Sequence, residues 1–343
     1  MRKPCSNCWF WSLLLPLLLV SGLLLKPVNT MADEPRNNHR VHRVAVLAFA
    51  PPFLKSYEGL RSGLKGRGYN LDNDLFFDVH CLGRDTTKVE PLMEKLVAAD
   101  YDLIFSITTP VTRAIQAALA ASKAEMPVVF TAVADPLGSK IVDSLRRPGG
   151  NFTGVSHLSI ELLPQRLLLF KKAFPAMTRV ALFFDPEVEI SKRSLNQGFL
   201  RRAAADIGLE LVVVHVRNRD EMVKSCRSFS PERADAIFML PDPLAVAHFN
   251  ELLKLSHRLK IPLMVIDNML LQRGGVMGYS PDFYGVGFQA ATIVDQILKG
   301  GAPRDIPVQN AEKVNLVVSL KEVQGLGLEI SDDILLQADE VLR

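Results

Sequence analysis

Asp102-Leu-Ile-Phe-Ser-Ile-Thr-Thr-Pro110 and Asp235-Ala-Ile-Phe-Met-Leu-Pro-Asp-Pro243 align without a gap at an offset of 133 residues. Each stretch starts on an Asp, carries Ile-Phe at its third and fourth places, and ends on a proline suited to open a helix. Pro127 and Pro262 stand at nearly the same separation, and Gly68 and Gly208 at a few residues more. Self-similarity over one domain length points to two copies of one folding unit. Around both copies short β-branched runs alternate with helical stretches, as in parallel sheets built from strand–helix–strand units.

In the first half the pattern predicts strands at 44–47, 75–82, 103–107 and 128–132, with helices at 57–65, 92–99 and 112–122 between them. In the second half it predicts strands at 180–184, 211–216, 235–240 and 263–266, with helices at 195–207 and 249–259. Gly66, Gly68 and Gly208 suit helix ends. The expected fold class is therefore α/β: two similar lobes with parallel sheets flanked by helices and a hinge between them. Ligands of such sheets bind where loops leave the carboxyl ends of the strands. Two facing lobes would bring both sets of loops onto one cleft.

A chain of 343 residues is long enough for two such domains. Its 48% hydrophobic and 22% charged residues are those of a globular protein. The net charge of +3 is weak and the basic residues are scattered among acidic ones, which excludes nucleic acid as a partner. Catalytic motifs are missing: the chain has no G-x-S-x-G elbow, no H-E-x-x-H and no phosphate-binding P-loop. Gly63-Leu-Lys-Gly66-Arg-Gly68 has the glycine content of a nucleotide loop but precedes a strand, the reverse of the order such a loop needs. His80, His157, His215, His248 and His257 fall on separate elements without metal-ligand spacing. The chain reads as a binder and not an enzyme, with no cofactor and no metal site.

Arg2 and Lys3 precede an apolar stretch from Trp9 to Leu25, and Thr30-Met31-Ala32 supplies small residues for a cleavage after Ala32. Residues 1–32 are read as a signal peptide, with an uncleaved anchor as the competing reading, and 33–42 as a polar leader. The expected location is periplasmic. Cys5 and Cys8 would leave with the signal, and Cys81 and Cys226 are read as buried free thiols in different lobes.

Several blocks resemble one family. They are Asp135-Pro136; the run from Val142 to Ser156 with Arg147-Pro148-Gly149-Gly150-Asn151-Phe152-Thr153-Gly154; Gly274-Gly275-Val276-Met277-Gly278-Tyr279-Ser280; Ile297-Leu298-Lys299-Gly300 with Asp305-Ile306-Pro307-Val308; and Val317-Val318-Ser319-Leu320-Lys321. In this order they are similar to the ABC-transporter substrate-binding family that includes tryptophan- and tyrosine-type binding proteins. The resemblance implies a type I periplasmic-binding fold with lobes at 43–156 plus 282–308 and 157–281 plus 309–343. It places hinge segments near 154–156, 279–282 and 308–315. It also implies a monomer that binds a small-molecule ligand, an amino acid of aromatic or branched type, and delivers it to an ABC permease in the inner membrane. A ligand-sensing partner of a membrane receptor or kinase is the alternative. Ser319 and Ser280 depart from the family's usual Asn and Gly.

The candidate binding residues lie at the expected strand ends. Thr108 and Thr109 would offer hydroxyls and helix amides to a carboxylate, or one of them caps the helix before Pro110. Asp135, Asp185 and Asp242 each precede a proline and would either form the same turn three times or bind ligand. Asp267, followed by Asn268, is freer. One of Asp185, Asp242 or Asp267 is expected to take the ligand's ammonium group. Phe49 and Tyr279 are candidate aromatic walls and Ser156 a candidate donor, with core packing or the hinge as their plain alternatives.

Overall fold

Val44-Ala45-Val46-Leu47-Ala48 is apolar at every position, and each of these residues is fully buried. Such an unbroken run fits a strand covered on both faces. In the computed structural model, which describes residues 40–196 and 199–343, strand β1 (His42–Ala48) is indeed sandwiched. Val44, Val46 and Ala48 face one apolar cluster, and Ala45 and Leu47 face the other. The segments read as signal peptide and as most of the leader lie outside the described residues.

The first sheet continues with β2 (Leu75–Cys81), β3 (Leu103–Ile107), β4 (Val128–Val133) and β5 (Phe152–Ser156). The second contains β6 (Arg179–Phe184), β7 (Glu210–His215), β8 (Ala236–Phe238), β9 (Leu263–Val265) and β10 (Met277–Pro281). Three more strands follow: β11 (Gln309–Asn310), β12 (Val314–Ser319) and β13 (Glu340–Leu342). The sheet orders are β11-β5-β4-β3-β1-β2 and β13-β12-β10-β9-β8-β6-β7. Adding five to each number in β5-β4-β3-β1-β2 gives the core of the second sheet, so the two lobes share one topology. All strand pairs are parallel except β10 with β12.

The repeat holds down to single hydrogen bonds. Asp102 and Asp235 each donate a backbone N–H to the start of the neighbouring strand, to Arg43 O and Arg179 O, both at 2.9 Å. Their carboxylates return the contact, accepting from Arg43 N and from Arg179 N at 2.8 Å. Ile104 N donates to Pro127 O and Ile237 N to Pro262 O, again both at 2.9 Å. Gly68 (φ +93°) and Gly208 (φ +68°) end their helices in the left-handed region, followed by Tyr69 N to Leu64 O and Leu209 N to Ala204 O. The second-half helix expected at 195–207 is instead two, Glu189–Asn196 and Phe199–Asp206.

The chain crosses between the lobes after Ser156, after Pro281 and after Asn310. The last visit to the first lobe brings helix Phe283–Leu298, which packs against helix Lys55–Gly66. Glycines permit this approach: a Cβ on Gly59 would meet the Tyr284 carbonyl, and one on Gly287 the Ser56 carbonyl. The glycines of the Gly63-to-Gly68 run thus serve helix packing and a helix end, and Gly63 lies against Ala291 and Phe288. β11 pairs with β5, so Gln309 and Asn310 belong to the first sheet.

Among the described residues Cys81 and Cys226 are free, but only Cys226 is buried. The expectation of a buried Cys81 is corrected: it closes β2, an edge strand with one neighbour, where alternate residues face solvent. Burial pushes the Cys226 thiol up to about 12.

Candidate functional site

In both sheets the strand order reverses beside the first strand, at β1/β3 and at β6/β8. The loops that leave the carboxyl ends there are where a doubly wound sheet binds its ligand. The backbone is distorted at the same ends. Thr108, directly after β3, has φ +91° and ψ 151°, a conformation nearly restricted to glycine that costs of order 1–3 kcal/mol. Its amide donates to Thr131 O at 3.0 Å, and its carbonyl accepts from Thr112 N and Thr112 Oγ1, which hold it in place. Ala132 (φ +55°) sits at an irregularity between β4 and β5, and Leu158 (φ +53°) follows the first crossover.

Among the described residues, seven buried side-chain polar atoms have no hydrogen-bond partner within the protein. Two, on His42 and His80, lie 3.8 Å and 2.9 Å from the carboxylates of Asp102 and Asp78. The other five are Thr108 Oγ1, His157 Nδ1, Asn268 Oδ1, Ser280 Oγ and Asn315 Oδ1. All five lie at strand ends or beside the crossovers. Ser280 and Asn315 are opposed in the β10–β12 register and so share a face. A Cβ built on Gly278, two residues from Ser280 and on the same face, would lie 3.5 Å from Asn268 Oδ1. Three of the orphaned groups therefore gather on one patch of the second sheet. Unpaired buried polar groups are costly, which makes such a cluster a place for a polar ligand.

A row of rings joins the segment after β1 to the first two crossovers. Phe49 and Phe53 meet edge to face at 6.3 Å, Phe53 and Phe283 at 5.1 Å, and Phe283 stacks on His157 at 5.4 Å with 7° between planes. Burial, with Arg166 nearby, pushes the His157 pKa down to about 3, so the ring is neutral.

The sequence-derived candidates divide by what their side chains already do. Thr109 Oγ1 accepts from Ala134 N at 3.1 Å, so the residue ties β4's exit loop to the helix Thr109–Ser122. Ser156 is buried at the end of β5, and its Oγ accepts from Leu158 N at 3.3 Å. Asp185 Oδ1 accepts from Glu187 N at 2.9 Å, the turn expected of Asp-Pro. Asp242 is fully buried and fully used: Oδ1 takes Ala245 N at 2.8 Å, and Oδ2 takes Ser191 Oγ at 2.6 Å and Asp185 N at 3.1 Å. Asp242→Ala is expected to cost about 2 kcal/mol, because it removes a helix cap and orphans a buried hydroxyl. Urea unfolding would check this; an unchanged midpoint would be inconsistent with these bonds.

Asp135 is 6% exposed; Oδ1 accepts from Gly138 N at 2.9 Å and Oδ2 meets Arg193 of the second lobe. Asp267 Oδ1 caps helix Asn268–Leu271 through Leu270 N at 2.9 Å. The residue as a whole is partly exposed, but its surroundings desolvate the carboxyl and raise its pKa against the pull of the Leu270 and Met269 amides and of Arg166. Tyr279 packs its ring against the apolar core of the second lobe, and its carbonyl accepts from Arg166 Nε at 2.7 Å.

Arg166 carries no motif and went unnoticed in the sequence. It is fully buried on helix Leu163–Ala173 and binds three carbonyls: Tyr279 on β10, Ser159 on the first crossover at 3.2 Å, and Ile266 after β9 at 3.1 Å. Burial lowers its pKa to about 10, which leaves it charged at neutral pH. The guanidinium ties β10 and the first crossover to the loop that carries Asp267 and Asn268. Arginine's fixed fork of donors suits such a joint.

A model of the family described as "ABC transporter substrate binding protein" matches residues 43–342. The chain belongs to that family. The match covers both sheets and all three crossovers. A tyrosine-binding protein of Clostridioides difficile is 25% identical over 287 residues, 83% of this chain and 80% of its own length. A domain from Streptococcus pneumonia solved in complex with L-Trp is 26% identical with a TM-score of 0.74, covering 88% of this chain and all of that one. A substrate-binding protein from Clostridium difficile, solved ligand-free and open, has a TM-score of 0.70 at 20% identity and shares the fold over 88% of this chain and 99% of its own. The fold is of the type I periplasmic-binding kind that the sequence resemblance implied.

Proposed function

We propose that this protein is the extracytoplasmic solute-binding component of an ABC importer and that it encloses an amino acid, aromatic or branched in its side chain, between its lobes. The five orphaned polar groups at the cleft carry this reading, because they offer donors and acceptors that the protein itself leaves unmatched. The row Phe49, Phe53, Phe283 and His157 supplies an apolar wall for the side chain. Asp267 is the carboxylate best suited to the ammonium group, since Asp242 and Asp135 have both oxygens engaged and Asp185 forms its own turn. The Thr108 and Ser280 hydroxyls can donate to the ligand's carboxylate, and Asn315 Oδ1 can accept from its ammonium group. The tyrosine-binding relative and the L-Trp complex support the ligand class.

In this reading 43–156 with 282–308 forms one lobe and 157–281 with 309–343 the other, apart from β11, which pairs with β5. The lobes swing about the three crossovers, and the ligand favours the closed form by contacting both sides at once. The protein works as a monomer in the periplasm, released from its N-terminal signal, and docks on a permease.

Thermal unfolding with added ligand tests the proposal. L-Tyrosine or L-tryptophan at about a hundred times its Kd should stabilise the protein by about 2.7 kcal/mol and raise Tm by several degrees. Asp267→Asn should reduce that affinity at least about tenfold. A panel in which a sugar or purine shifts Tm and no amino acid does would overturn the ligand class.

A further inference from the structure

Among the described residues, a charged contact that belongs to neither lobe's own packing joins the lobes. Arg193 lies on helix Glu189–Asn196, which follows β6 of the second sheet, and its Nη1 donates to Asp135 Oδ2, in the loop after β4 of the first sheet. Side-chain exposure is 25% for Arg193 and 7% for Asp135, so the pair is largely withdrawn from water. Both arms are braced. Asp135 is held by Gly138 N, and a Cβ on Gly138 would strike both Arg193 Nη1 and Asp135 Oδ2, so the loop is bare where the guanidinium seats. On the other side Ser191, two residues before Arg193, is fully buried and bonds Asp242, which also holds Asp185 N and the start of helix Pro243–Ala247.

We propose that Asp135 and Arg193 form a latch across the cleft, which favours the closed form before any ligand enters and slows ligand escape afterwards. A charge pair whose two halves ride on different lobes stabilises only the arrangement in which they touch, so it biases the open–closed balance by its full net worth. Asp135 accordingly acts between lobes and not on the ligand. This inference rests on the cleft-closure reading but not on the identity of the ligand.

Small-angle X-ray scattering of the unliganded full chain decides it. The wild type and Arg193→Lys should scatter as the compact form. Arg193→Gln and Gly138→Ala, the second of which leaves both charges in place, should raise the open population about tenfold and enlarge the radius of gyration. Thermal unfolding of the same samples checks that each variant is folded. With L-tyrosine or L-tryptophan, whichever binds, Arg193→Gln should speed dissociation about tenfold. Identical scattering of Arg193→Gln and wild type, or a wild type that is already open, sinks the latch whatever the ligand. If the scattering changes as expected and no amino acid binds, the latch stands and only the ligand class fails.

Discussion

Arg166→Met is expected to lower the stability of the protein by about 4 kcal/mol, a large share of what holds a domain together. Methionine fills much of the same space but donates nothing. The carbonyls of Ser159, Ile266 and Tyr279 would then lie buried without a partner, at about 1–3 kcal/mol for each group left unmet. The substitution also takes away the positive neighbour that opposes the desolvation of Asp267, so that carboxyl would become still harder to ionise. Ligand binding should therefore fall together with stability. Urea unfolding followed by fluorescence gives the first number and titration of the folded variant the second. A stability change below about 1 kcal/mol would mean that water replaces the guanidinium, and the joint would not be what fixes the loop.

Gly287→Ala is expected to cost about 3 kcal/mol, from one added methyl group. The methyl would point at the Ser56 carbonyl, where the obstacle is backbone and cannot rotate away. The helices Lys55–Gly66 and Phe283–Leu298 would have to separate, and the apolar cluster holding Leu60, Leu64, Val286, Ala290 and Ala291 would loosen with them. Gly66→Ala is the natural control, because nothing lies within 4 Å of a Cβ there. Equal melting temperatures for Gly287→Ala and the wild type would show that the helix pair slides without penalty.

The sequence made the fold legible because its information is local and repeated. Asp102 and Asp235 mark the same joint in both sheets, and Pro127 and Pro262 stand at the same strand entry. Strand ends were harder to read, since the repeat breaks down there. Thr109 and Asp242 are equivalent by alignment, yet Asp242 caps a helix and Thr109 Oγ1 holds the Ala134 amide. Sequence could name the three Asp-Pro turns but could not say which oxygens were already taken. Nor could it find Arg166, because a buried arginine on an amphipathic helix looks like any solvent-facing one. Asn315 and Ser280 become a pair only through the antiparallel register of β10 and β12, two strands separated along the chain by a helix that belongs to the other lobe.

That detour of the chain has a consequence for how the molecule is made. The helix Phe283–Leu298 and strand β11 complete the first lobe, yet they are synthesised after the ten strands β1 to β10. An emerging chain can form most of the second sheet from contiguous residues, whereas the first must wait with the apolar face of helix Lys55–Gly66 uncovered. Closing that lobe requires contacts across more than two hundred positions, such as Arg67 with Thr292 and Tyr69 with Asp295. Long-range closure of this kind is slow. The first lobe to leave the ribosome is thus the last to finish folding, and until then it is the part of the chain most open to chaperones and to proteases.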